Sequence, residues 1–190
     1  MRYVIILAVA LGLITLGTSN SFATSGTRSS PVDPIYMNYG DIKGEVTASD
    51  HQSWIEITSF QFGVGRGISS PTGSSADREA SAPSISEIVI TKAMDKASPK
   101  LFEEALGGHG QSVTIDFCKM QSGTCVTYME YTLENTMVSG YSVSSGGDRP
   151  TESLSFNFTK IVFTYTPTNP DGSQGAPVKA GYDLKKNEKV

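Results

Sequence analysis

The chain is poor in the residues that carry most protein chemistry. Its 190 residues include two histidines, His51 and His109, and two cysteines, Cys118 and Cys125. Neither histidine stands in a metal-type spacing such as H-x-x-x-H or H-E-x-x-H, and Asp50-His51 reads as a turn pair. Serine is abundant, yet no G-x-S-x-G nucleophile elbow occurs. Gly63-Val64-Gly65-Arg66-Gly67 lacks both the G-x-G-x-x-G spacing and the Lys-Ser/Thr of a P-loop, so it reads as a hinge. Carboxylates are numerous, but nothing in the sequence brings two together for acid–base work. The expectation is a protein without catalytic residues, metal or cofactor, and not an enzyme.

Basic charge is also scarce. Fifteen Lys and Arg face nineteen Asp and Glu, for a formal net charge of −4 and a pI near 5.2. Nucleic-acid binders carry clustered Lys and Arg. The only cluster here is Lys185, Lys186 and Lys189, interrupted by Asn187 and Glu188, which reads as a solvated tail. No nucleic-acid partner is expected. Long apolar runs are missing too. Val4 to Leu16 as a helix would reach about 20 Å, short of a hydrocarbon core of roughly 30 Å.

That short run has another use. Arg2 precedes it as a positive n-region, and Ser21-Phe22-Ala23 puts small residues at −3 and −1 of a cleavage point. Residues 1–23 are therefore expected to be a signal peptide, with an uncleaved anchor as the less favoured alternative. No Cys near the cut offers a lipid attachment site. The mature chain, Thr24 to Val190, would be exported, periplasmic or secreted, without a membrane span. Its length suits one domain with a sizeable core. Residues 24–34 (TSGTRSSPVDP) read as a flexible lead-in, and residues 35–190 as the domain.

Export changes how the cysteines read. A turn centred on Gln121-Ser122 would set Cys118 opposite Cys125, Phe117 opposite Val126, Ile115 opposite Tyr128 and Asp116 opposite Thr127. Cysteines facing each other across two strands can reach disulfide geometry, and an oxidising compartment keeps the bond. Two reduced thiols packed as small hydrophobes remain the alternative.

The rest of the pattern is mostly strand. Ile35 to Tyr39, Ile42 to Val46, Trp54 to Val64, Ile85 to Thr91, Val113 to Lys119 and Cys125 to Val138 are all strand-like runs. Leu154, Phe156 and Phe158 alternate, then the apolar parity switches to Ile161, Phe163 and Tyr165. That predicts a bulge or bend near Thr159-Lys160. Gly65 to Pro83 is nineteen residues with almost nothing to bury, a long irregular loop of the kind that is usually functional or disordered. One short helix is predicted, with Ser98 as N-cap, Pro99 at the first position and Gly107-Gly108 as stop. Leu101, Phe102, Ala105 and Leu106 would share its buried face. The fold class is mainly β, with a closed barrel or sandwich favoured.

Five stretches in order resemble the Hcp family, the tube proteins of bacterial type VI secretion systems. Ile35-Tyr36-Met37 with Gly40-Asp41-Ile42-Lys43-Gly44-Glu45 is similar to that family's opening strand and turn. Trp54-Ile55-Glu56-Ile57 with Phe60 and Phe62-Gly63 resembles its second strand. Ile90-Thr91-Lys92 through Ser98-Pro99 resembles its approach to the single helix. Gly146 to Phe158, running on to Tyr165, and Gly181-Tyr182-Asp183-Leu184 complete the pattern. The resemblance implies an Hcp-like β-barrel with one short α-helix on its side, assembled as a homo-oligomeric ring, by family a hexamer. It also implies secretion-apparatus components and effector proteins as partners, and a loop reaching the neighbouring ring at Gly65, Arg66, Gly67 and Ile68.

Large side chains of both parities in Cys125 to Val138 (Met129, Tyr131 and Leu133 against Val126 and Tyr128) predict a second oligomer contact there. The leader departs from the family, whose members load from the cytoplasm. It leaves a second function class open: a periplasmic or extracellular binding module built on the same barrel. Ring formation distinguishes the two.

Overall fold

The computed structural model of the chain describes residues 33–70, 78–121 and 124–190. The expected signal peptide and most of the lead-in lie outside them. The last two lead-in residues are tied down: the Cys118 amide donates to the Pro34 carbonyl at 3.0 Å, and the Met120 amide to Asp33 Oδ1 at 3.2 Å.

Strand β1 (Ile35–Tyr39) runs antiparallel to β2 (Ile55–Ile57), and one residue later β3 begins (Ser59–Gln61). An extended excursion follows, built from β4 (Val64–Gly65), β5 (Ile68–Ser69), β6 (Glu79–Ala80) and β7 (Ser84–Ile85). Then come β8 (Ile88–Ala93), helix α1 (Ser98–Gly107), and the long strands β9 (Gln111–Gln121) and β10 (Thr124–Ser144). The chain finishes with β11 (Thr151–Asn157), β12 (Lys160–Tyr165), β13 (Val178–Asp183) and β14 (Glu188–Lys189).

The pairing closes on itself. β9 lies between β1 and β10; β10 pairs β11, β11 pairs β8, β8 pairs β3, and β2 returns to β1. The Thr58 amide, donating to the Thr91 carbonyl at 2.8 Å, stitches the β2–β3 bend onto β8. This is a closed barrel, which leaves no open edge in that circuit. β12, β13 and β14 form a flap continuing from the first half of β10. β11 and β12 share one edge of β10, and the break between them falls at Phe158-Thr159, where the parity switch predicts it.

Inward positions follow the period of two. Ile88 and Ile90 on β8, Val113, Ile115 and Phe117 on β9, and Leu154 and Phe156 on β11 are all buried around Met37, Tyr39, Ile55 and Leu133.

Several expectations need correction. Ile42 to Val46 is not a strand: only a Tyr39–Ile42 bridge forms, and Gly44 and Val46 bond to the turn at Ser53-Trp54 instead. The presumed lysine tail is a β13–β14 hairpin, with Tyr182 opposite Lys189. Gly65 to Pro83 is not wholly irregular, since two short ladders run through it. In α1, Ala97 is the N-cap and Ser98 sits inside the helix. Its hydroxyl accepts from the Asp95 amide at 2.9 Å and donates to Glu152 at 2.8 Å. Leu101 is buried but Phe102 and Leu106 are exposed, so the covered face is narrower than the pattern implies.

The hairpin register differs by two. Cys118 stands opposite Thr127, and Cys125 opposite Met120. Phe117 faces Met129 and Ile115 faces Tyr131, because a bulge at Tyr128 absorbs one extra residue. That bulge also explains the mixed parity of β10. It turns Met129, Tyr131 and Leu133 to the face that Val126 occupied before it, so one face points inward throughout. Leu133 is fully buried and cannot be a surface contact. Met129 and Tyr131 are half-buried and pack on the core.

Candidate functional site

Apolar side chains stand exposed on the excursion between β3 and β8, and an apolar groove lies at its base. The excursion is a narrow two-stranded arm: Val64 pairs Ile85, and Ile68 pairs Ala80. Serine hydroxyls supply extra rungs. The Gly63 amide donates to Ser86 Oγ and the Gly67 amide to Ser81 Oγ, each at 2.9 Å. The arm has no core of its own, and Val64 and Ile68 stand 61% and 50% exposed. Gly65, Arg66, Gly67 and Ile68, the expected contact residues, all lie on it and are exposed.

At the arm's base lies an open apolar groove of about 230 Å³, lined by Phe62, Ile85, Tyr131, Phe163 and Tyr182. Tyr131 is held between Phe60 and Phe163, with ring centroids 4.9 Å away on each side. Burial raises the Tyr131 phenol above its ordinary value. Its role is to build the floor of the groove, not to project from the strand.

Ionisable groups inside the barrel are locked into pairs. Lys92 and Glu152 face each other across β8 and β11 at inward positions and have no solvent exposure. Lys92 Nζ donates to Glu152 Oε2 at 2.6 Å, Asp95 Oδ1 at 2.7 Å and the Ala93 carbonyl at 2.8 Å, with Ser98 Oγ sharing one of these protons at 3.1 Å. Tyr141 Oη donates to the second oxygen of Glu152. Burial alone would push the Glu152 carboxyl up, but hydrogen bonds from Lys92, Tyr141 and Ser98 outweigh it and hold the group below its ordinary value. Burial, then the bond to Glu152 and its charge, push the Tyr141 phenol up to about 12. The knot anchors α1 to the barrel wall.

The two cysteines lie on the outward face of β9 and β10. Cys125 is two residues from Cys118's direct partner, so the pair is diagonal on one face. Their Cα atoms are 5.2 Å apart and the sulfurs are in bonding contact. Asp116 shares that face, and a turn at Ser49–His51 lays the buried His51 ring over it. His109, by contrast, is exposed beyond the end of α1.

A closed barrel whose few buried charges are paired internally, with apolar side chains exposed on an arm and a groove, is built as a subunit that packs against other protein. Residues 36–165 match the family model described as Type VI secretion system effector, Hcp. The chain belongs to that family. It is 29% identical over 157 residues to Protein hcp1 of Pseudomonas aeruginosa, covering 80% of this chain and 96% of that one. A solved structure described as a type six secretion system protein superposes with a TM-score of 0.76 at 28% identity, covering 83% of this chain and 99% of the other. Hcp1 from Salmonella typhimurium shares the fold at 22% identity, with a TM-score of 0.67 over 83% of this chain and 98% of that one. Among the described residues no helix is long and apolar enough to cross a membrane.

Proposed function

We propose that the chain is an exported, self-assembling Hcp-type subunit, a ring former whose rings carry or accompany effector proteins in type VI secretion. The observation that carries this reading is the pairing of an exposed apolar arm with an open apolar groove on one subunit. Apolar surface that its own subunit leaves uncovered calls for a neighbour, and head-to-tail contacts close into rings when the rotation allows. The family resemblance supports six members. The leader supports a periplasmic or extracellular destination, and a Cys118–Cys125 disulfide fits that compartment.

Native mass spectrometry on protein recovered from the periplasm or medium tests this. The chain should begin within two residues of Thr24 and run as a hexamer. Ile68→Asp should convert it to monomer without lowering the barrel's melting temperature, because Ile68 contributes little to the core. A wild-type monomer at high micromolar concentration would favour the binding-module reading. Intact Met1 in a soluble cytoplasmic form would overturn export.

A further inference from the structure

The outward face of β9 and β10 carries a cluster that neither the core nor the ring reading uses. His51, Cys118 and Cys125 are 3%, 0% and 6% exposed, and one ligand atom from each lies within 4.8 Å of the others. Their positions come from three separate parts of the chain: a 3-10 turn, the middle of β9 and the start of β10.

The histidine is already oriented. Its Nε2–H donates to Asp116 Oδ2 at 2.8 Å, and Thr127 Oγ1 donates to the same oxygen at 3.2 Å. Tyr36 at 5.1 Å and Trp54 at 4.6 Å between ring centroids pack against the imidazole. With Nε2 carrying the proton, Nδ1 has a free lone pair. Nδ1 is buried and, among the described residues, has no hydrogen-bond partner. A buried imidazole nitrogen normally finds a partner, so one without a partner needs an explanation. The arrangement is that of a metal-ligating histidine, which donates its other ring N–H to a carboxylate and thereby fixes its tautomer.

We propose that His51 Nδ1, Cys118 Sγ and Cys125 Sγ form a redox-gated site for zinc, filled when the cysteines are reduced and closed when they are joined. Two thiolates and an imidazole are the donor set zinc prefers, with a fourth position left to water. Asp116 is a positioning residue that orients the ring. The inference is independent of ring formation. Opening the site requires a dithiol reductant: the protein S–S bond breaks, two protein thiols form, and the dithiol leaves as its own disulfide. Zinc then replaces the two thiol protons, which are released.

The test uses the full mature chain, reduced with a dithiol and freed of reductant under anaerobic conditions. Co²⁺ serves as the optical probe and Zn²⁺ as competitor. The reduced chain should bind one Co²⁺ with a thiolate-to-cobalt charge-transfer band and a tetrahedral d–d spectrum, both abolished by Zn²⁺. The oxidised chain should show neither, a control that needs no variant. His51→Gln keeps a donor for Asp116 but removes the ring nitrogen, and should weaken binding at least tenfold with unchanged far-UV circular dichroism. Asp116→Asn should weaken it roughly 10–100-fold. Absence of the band in a chain shown to hold two free thiols overturns the proposal. So does equal binding by the folded His51→Gln chain.

Discussion

Replacing Lys92 with Met keeps most of the buried stem and removes its charge. Glu152 would then remain fully buried, with hydrogen bonds from Ser98 and Tyr141 but no counter-charge. Stripping one partner from a buried pair costs about 3–5 kcal/mol, against about 1 kcal/mol or less for a surface pair. On a domain of this size each kcal/mol lowers the melting temperature by about 2–4 °C, so the midpoint should fall by roughly 6–20 °C. The pH dependence carries a sign that a packing defect would not. In the wild type the Glu152 carboxyl is held below its ordinary value, so its contribution is full above about pH 4.3 and is lost as pH falls through the lower folded value. In Lys92→Met, burial without the cation pushes that carboxyl up. The variant's deficit should therefore be largest above that raised value and shrink as pH falls through it into the acid range. Urea and thermal melts on the wild type, Lys92→Met, Glu152→Gln and the double variant measure this. The double variant should lose much less than the sum of the singles. A single-variant cost below about 1 kcal/mol, or additive losses with no pH dependence, would refute the reasoning.

Gly44 packs against the Trp54 carbonyl so closely that an added Cβ would collide with it and with the Ile55 backbone. Gly44→Ala should cost about 1–3 kcal/mol in urea melts, because neither backbone neighbour can move aside cheaply. Reduction of a Cys118–Cys125 bond opens a loop with a sequence separation of only 7, so it should cost about 2 kcal/mol and leave the far-UV spectrum unchanged. Thiol counting under denaturing, non-reducing conditions on exported material should find none, and two reactive thiols would contradict the pairing.

The sequence by itself determined the class of fold. Period-two runs, a turn-rich composition and one Pro-Gly-bounded helix specify β1, β9, the start of β10, β11, β12 and α1, because alternation and capping are local properties. It also identified the family, through short runs in a fixed order, and the break near Thr159, through a change of apolar parity. Other features depended on contacts between distant residues, and only the tertiary structure decided them.

The hairpin pairs two residues away from the expected register, and the Tyr128 bulge then adds one more residue and turns the supposed outer residue Leu133 into core, since one extra residue reverses every face beyond it. The Lys92–Glu152 knot spans a separation of 60 residues. Neither charge declares itself buried until β8 and β11 are paired. His51 shows the same limit most clearly. Its sequence neighbours make it a turn residue with no ligand spacing. Barrel closure brings it, 65 residues from Asp116, onto the face that also holds both cysteines, because strand pairing sets neighbours by register and not by distance along the chain.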